Sequence, residues 1–231
     1  KDNHFSTIVD AIKEGRTIFS NIQKFSAYQI SINIAQVGII LISTLVGLPL
    51  PLVAIQILLM NIISDEMTAI SLAFNPYSKD VMNSHPRKKS VIITKQSFIM
   101  LMISGIIMTF GSLFVFYYVG VIKGESDAVS RTAVFVTMNL FAIVNAFNFR
   151  SFKKPVSKLN FFGNKYLLIV SIISILLTTL LIYTPLNLIF EMAYMPLNYW
   201  GIALLTSLFL ILVFEVVKRT KEQKITPEYV G

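Results

Sequence analysis

The chain has no cysteine, so it can build no disulfide framework, thiolate nucleophile or thiolate metal site. Histidine occurs only as His4 and His85, both outside the apolar runs, which argues against a soft-metal centre within those runs. Charge is scarce as well: 14% of the 231 residues are Asp, Glu, Lys or Arg, where a soluble domain carries about a quarter. The charges present are clustered, and the stretches between them reach the roughly 20 residues that a helix needs to cross ~30 Å of hydrocarbon. Polar and apolar residues do not alternate within these stretches, which excludes a β-barrel. There is no glycine-rich phosphate loop, Ser/His/Asp set or metal-binding His pair, so no catalytic residue is assigned.

What remains is apolar: 55% of residues are hydrophobic and the mean hydropathy is +0.70. The expected fold class is all-α, a polytopic membrane bundle of six transmembrane helices preceded by an amphipathic stalk helix. The spans are expected at 26–47, 52–74, 97–121, 132–149, 166–187 and 197–217, the fourth being the shortest. Before them, Phe5, Ile8, Val9, Ile12, Ile18, Phe19, Ile22 and Phe25 recur at helical spacing, with Lys13, Glu14, Arg16 and Lys24 mostly on the other side. No proline or glycine-rich break separates this stretch from the first span, so one rod running from water into the bilayer is expected, rather than a surface-lying helix.

The loops set the orientation. Residues 75–96 hold Lys79, Arg87, Lys88, Lys89 and Lys95 against Asp80; residues 150–165 hold Arg150, Lys153, Lys154, Lys158 and Lys165 without an acid. The alternate loops, 47–51, 122–131 and 187–196, are nearly neutral, and the tail 218–231 begins with Lys218, Arg219, Lys221 and Lys224. The positive-inside bias therefore places both termini and the two basic loops in the cytoplasm. The same loops account for the net charge of +8, so the lipid bilayer, and not nucleic acid, is the expected partner.

Two carboxylates interrupt the second apolar run, in "NIISDEMTAISLAFNP". An ionised group at mid-bilayer costs about 2.5–3.5 kcal/mol on the translocon scale, so such residues face a protein interior and mark function. Asn61, Ser64, Asp65 and Thr68 stand at i, i+3, i+4 and i+7, one face of a regular helix. Glu66 then points about 100° away, at 3.6 residues per turn. The first span offers Gln29, Asn33 and Gln36 at the same kind of spacing, and the short "GLPLPL" turn makes the two spans antiparallel neighbours. Facing stripes of amide, hydroxyl and carboxylate oxygens suit a hard cation, which takes oxygen ligands. The candidate ion-binding set is Asn33, Gln36, Asn61, Ser64, Asp65 and Glu66, with Asp65, Asn61, Asn33 and Gln36 as the metal ligands. Glu66 stays open between ligand, proton carrier and partner of a basic group elsewhere. Asn139, Asn145 and Asn148 read as helix-joining amides, and Ser171, Ser174 and Thr178 as a small-residue packing stripe.

Several segments together resemble the type II branch of the P-type cation-transporting ATPases, the calcium and sodium/potassium pumps. They are "KDNHFSTIVDAIKEGRTIFSNIQKF", "SINIAQ", "GLPLPL", "MNIISDEMTAISLAFNP" and "SKDVMNSHPRKKS". The last is similar to a family segment with Asp80, Met82, Pro86 and Arg87. The resemblance implies that residues 1–25 are the end of a phosphorylation domain and the stalk of a fifth transmembrane helix. It implies that 26–217 is the C-terminal six-span domain. Asn33 and Gln36 match ion-coordinating positions of the fifth helix, the second usually a Glu; Asn61, Ser64 and Asp65 match the sixth-helix ligands. Ala142 falls where two-site calcium pumps have a Glu. The family opens its sixth helix after the Asp, commonly at Gly or Pro; Glu66, Met67 and Thr68 stand there instead, leaving an opened or an intact helix both open.

The resemblance further implies that the chain needs the rest of a pump: the first four transmembrane helices and the actuator, nucleotide-binding and phosphorylation domains. The chain itself would hold no cofactor. Its cargo would be a hard cation, Ca2+ in the first place, or Na+, K+, Mg2+ or H+, with ATP and Mg2+ handled upstream. Two other readings stand beside it: a secondary transporter or channel, against which the missing internal repeat speaks, and a membrane scaffold whose polar stripe only binds helices.

Overall fold

The computed structural model of the chain describes residues 5–77, 82 and 91–225, and no strand occurs among them. Asp80, Pro86, Arg87, His4 and His85 lie outside the described residues. Among the described residues six helices are long and apolar enough to cross a membrane: the chain is an integral, multi-pass membrane protein. Helix α1 runs without a break from Phe5 to Val46, 42 residues, so stalk and first span are one rod. It stops at Gly47, whose φ of 75° is a left-handed conformation that costs glycine little. Leu48 N–H there donates to Ser43 O at 2.9 Å and Gly47 N–H to Thr44 O at 3.3 Å, closing the end of the helix as a Schellman turn.

The second span consists of α2 (Ala54–Met60), a π-helical turn (Asn61–Glu66) and α3 (Met67–Ala73). It is followed by α4 (Lys95–Tyr117), α5 (Asp127–Phe149), α6 (Lys165–Tyr183) and α7 (Leu197–Ile225). The π turn carries i→i+5 bonds, an extra residue taken up without breaking the helix.

Helix α5 is the axis of the bundle. From Thr132 to Phe149 every residue is buried, against α1, α3, α4, α6 and α7. This explains why the fourth span reads short and polar in sequence. Its neighbours are helices on all sides, so it can carry Thr137, Asn139, Asn145 and Asn148 without exposing them to lipid. It extends to Asp127, five residues before the expected start, and Ser126 caps it by accepting from Val129 N–H. Helix α4 lies closely along α1: a Cβ added to Gly105 would sit 2.6 Å from Ile34 Cγ2 and 3.3 Å from Ser31 O.

The stalk departs from the amphipathic expectation. Its apolar stripe, Ile8, Ile12, Ile18 and Ile22, is exposed, whereas Asn21, Gln23 and Lys24 are buried. The polar side is used because backbone carbonyls at the end of the second span and before α4 face it. Asn21 Nδ2 donates to Ala73 O (3.0 Å) and Asn75 O (2.7 Å), and Gln23 Nε2 to Val91 O (2.6 Å). From Asn75 the lattice continues across the basic end of the bundle. Asn75 Nδ2 donates to Arg150 O, and the Arg150 guanidinium donates to Asn75 Oδ1, Asn160 O and Phe161 O. Burial lowers the Arg150 pKa from its ordinary value. Lys218 of α7 donates to Asn148 O (2.6 Å) and Ser151 O (2.8 Å), placing a cation at the C-terminal end of α5 where the helix dipole favours it.

Candidate cation site within the membrane

Asp65 is fully buried inside the π turn. Gln36, in the membrane-spanning part of α1, donates from Nε2 to Asp65 Oδ2 at 2.8 Å and to Asn61 Oδ1 at 3.4 Å. Three of the expected ligands, Gln36, Asn61 and Asp65, therefore meet between α1 and the second span. Asp65 Oδ1 is buried and makes no hydrogen bond to the described residues, and neither does Thr68 Oγ1 one turn further on. A buried carboxylate oxygen without a donor is costly, and a hard cation is a group that can supply what is lacking.

The other three expected ligands are placed differently. Asn33 and Glu66 are exposed on the outer face of the bundle, so the α1 stripe does not face the second span along its whole length. Ser64 is fully buried, but its hydroxyl turns away from Gln36 and donates to Asn139 Oδ1 of α5 at 2.8 Å. The single face expected for Asn61, Ser64 and Asp65 assumed a regular α period. In the π turn Ser64 turns to α5 and Asp65 to α1; consecutive helical residues point about 100° apart, and packing uses both directions.

Behind Ser64 lies a network that the sequence reading did not foresee. Ser174 of α6 also donates to Asn139 Oδ1 (2.7 Å), and Asn139 Nδ2 donates to Thr178 Oγ1 and Ser174 O. The signal was present as an amide in the fourth span and hydroxyls at i and i+4 in the fifth. Their pairing depends on how α5 and α6 pack. Ala142 is buried and brings no oxygen. Among the described residues no three acidic, histidine or cysteine side chains gather, so the site is one carboxylate among amides.

A helical membrane bundle with an acidic, amide-lined interior site is the class that fold and geometry define. The particular family follows from comparison with known proteins: the model of the cation transporting ATPase C-terminus matches residues 49–220, and the chain belongs to that family. It is 31% identical over 96% of its length to calcium-transporting ATPase 1 of Bacillus cereus, covering 27% of that protein. It is 33% identical over 96% of its length to human calcium-transporting ATPase type 2C member 1, covering 24%. To a calcium-transporting ATPase of Bacillus subtilis it is 36% identical over 80% of its length, covering 21%. The chain thus spans about a quarter of the length of these relatives.

Proposed function

We propose that the chain is the membrane-embedded part of an ATP-driven pump and that Asp65 binds the transported cation, with Ca2+ the cargo. The observation that carries this reading is the buried carboxylate with one oxygen bonded to Gln36 and the other free. Asn61 supplies a neutral oxygen beside it. The Gln36 amide donates to Asp65 in this state, occupying a cation's electrostatic role; turning the amide over presents Oε1 as a ligand. Asn33 and Glu66 lie on the face that a further part of the longer protein would cover, where Asn33 can complete the cage. Ser64 joins the ligand set only on leaving Asn139.

One acidic ligand and a buried Ala142 favour a single divalent ion over two. The names of the relatives support calcium. ATP hydrolysis, with its Mg2+, belongs to the domains outside this chain, and the first four transmembrane helices complete the bundle. The unbroken α1 would transmit their movement to Gln36, because a continuous helix carries a displacement along its axis. The basic end of the bundle, with both termini, would face the cytoplasm.

The test is cation binding by the complete gene product, purified in lipid nanodiscs, against Ca2+, Mg2+, Mn2+, Na+ and K+. Saturable binding of one Ca2+ that Asp65→Asn abolishes is expected, together with Ca2+-stimulated ATP hydrolysis. Ca2+ affinity unchanged by Asp65→Asn removes the assignment.

A further inference from the structure

We propose that Asn139 is a positioning residue that holds the π turn in the register presenting Asp65, and not Glu66, to the interior. This rests on the cation-binding reading of Asp65 given above. A π turn is a single extra residue accommodated inside a helix. If it were taken up elsewhere, the side chains at Ser64, Asp65 and Glu66 would turn by about 100° each, one residue of a 3.6-residue period. Asp65 would leave Gln36, and Glu66, now on the outer face, would approach the interior.

Two side-chain tethers on consecutive residues oppose that change. Asp65 is held to Gln36 at 2.8 Å and Ser64 to Asn139 at 2.8 Å. The first tether must open whenever a cation replaces the Gln36 amide, so during ion exchange the second alone keeps the register. Asn139 is suited to this. Its amide oxygen accepts from Ser64 and Ser174, and its amide nitrogen donates to Thr178 Oγ1 and Ser174 O. Both lone-pair sites and both N–H groups are used. Asn139, Ser64, Ser174 and Thr178 are all buried to 1% exposure or less, so the amide cannot rotate without leaving buried polar groups unpaired. An amide that merely joined helices would link α5 to α6. This one reaches the residue next to the carboxylate.

The experiment is a double-mutant cycle in the complete gene product, with Ca2+ affinity and maximal ATPase rate measured for Asn139→Val, Glu66→Gln and both together. Asn139→Val is expected to weaken Ca2+ about tenfold, the equivalent of roughly two interhelical hydrogen bonds, with the maximal rate kept within about twofold. The effect of Glu66→Gln on affinity is expected to differ by about fivefold or more between the two backgrounds, since the relaxed register brings Glu66 inward. Should Asn139→Val fail to fold, Thr178→Val replaces it, because it frees the amide nitrogen without changing side-chain volume; a smaller shift in the same direction is expected. An unchanged Ca2+ affinity overturns the proposal, as does a loss of affinity with no change in the Glu66→Gln effect, which is what lost stability alone produces. Asp65→Asn in parallel separates the two readings. If it is without effect, the cation site itself falls; if it abolishes binding while Asn139→Val does nothing, only the positioning role falls.

Discussion

The two walls of the π turn are built to opposite standards. Towards α5 and α6, Ser64 enters a network in which every polar valence of Asn139 is taken up. Towards α1, Asp65 has one donor, and among the described residues its second oxygen and the hydroxyl of Thr68 have no partner. A buried polar group costs free energy when unpaired and little when satisfied. The satisfied wall is therefore an anchor that stabilises one arrangement. The unsatisfied wall stores a deficit that the proposed cation would relieve. On the cation-binding reading proposed above, placing both within six residues would let the chain bind an ion beside a carboxylate without losing the local fold.

The largest expected effect breaks the unsatisfied wall. Asp65→Asn should reduce cation affinity by about a hundredfold or more, roughly 2.7 kcal/mol, while leaving thermal stability unchanged or slightly raised, because a buried charge without a full partner set is removed. Calorimetry with and without Ca2+ checks both halves; a Tm that falls by several degrees would mean that Asp65 serves the fold. Next in size, Gln36→Glu adds a second carboxylate where Gln36 now donates. Divalent affinity should rise about tenfold, one charge-assisted ligand at ~1.4 kcal/mol, and the preference for Ca2+ over Na+ should widen. Equal or weaker Ca2+ binding in direct titration counts against the Gln36 amide as a ligand position. Smallest is Ser174→Ala on the anchored wall. It removes one donor to Asn139 but leaves the bond from Ser64, so a stability loss of about 0.6–1.7 kcal/mol is expected with Ca2+ affinity within about twofold. If affinity fell as far as in Asp65→Asn, the two walls would not be distinct.

The membrane spans and the interior position of Asp65 were legible in the sequence for one reason. A helix in hydrocarbon must be long and apolar, and a carboxylate inside it must have a protein reason to be there. Gln36 was legible as well, because the short turn after α1 makes α1 and the second span neighbours. Asn33 was not. Its spacing puts it near Gln36 on α1, but the way α1 leans on α4, with Gly105 admitting Ile34, turns Asn33 outward. The stalk misled similarly. Helical periodicity separates an apolar from a polar stripe and does not say which stripe has company. Here Ala73, Asn75 and Val91, beside the ends of α3 and α4, offer carbonyls, and Asn21 and Gln23 take them, leaving Ile8 and Ile12 exposed.

By itself the sequence determined that this is a six-span helical membrane protein with one acidic position at its heart, since hydropathy and charge are properties of single residues summed over a window. Tertiary structure decided where that position points. Within the wider turn from Asn61 to Glu66, Ser64 turns to Asn139 of α5 and Asp65 to Gln36 of α1, and Glu66 is left outside. Such a choice comes from tethers between Ser64 and Asn139 and between Asp65 and Gln36, residues 75 and 29 positions apart. Local periodicity carries no information about contacts at that separation.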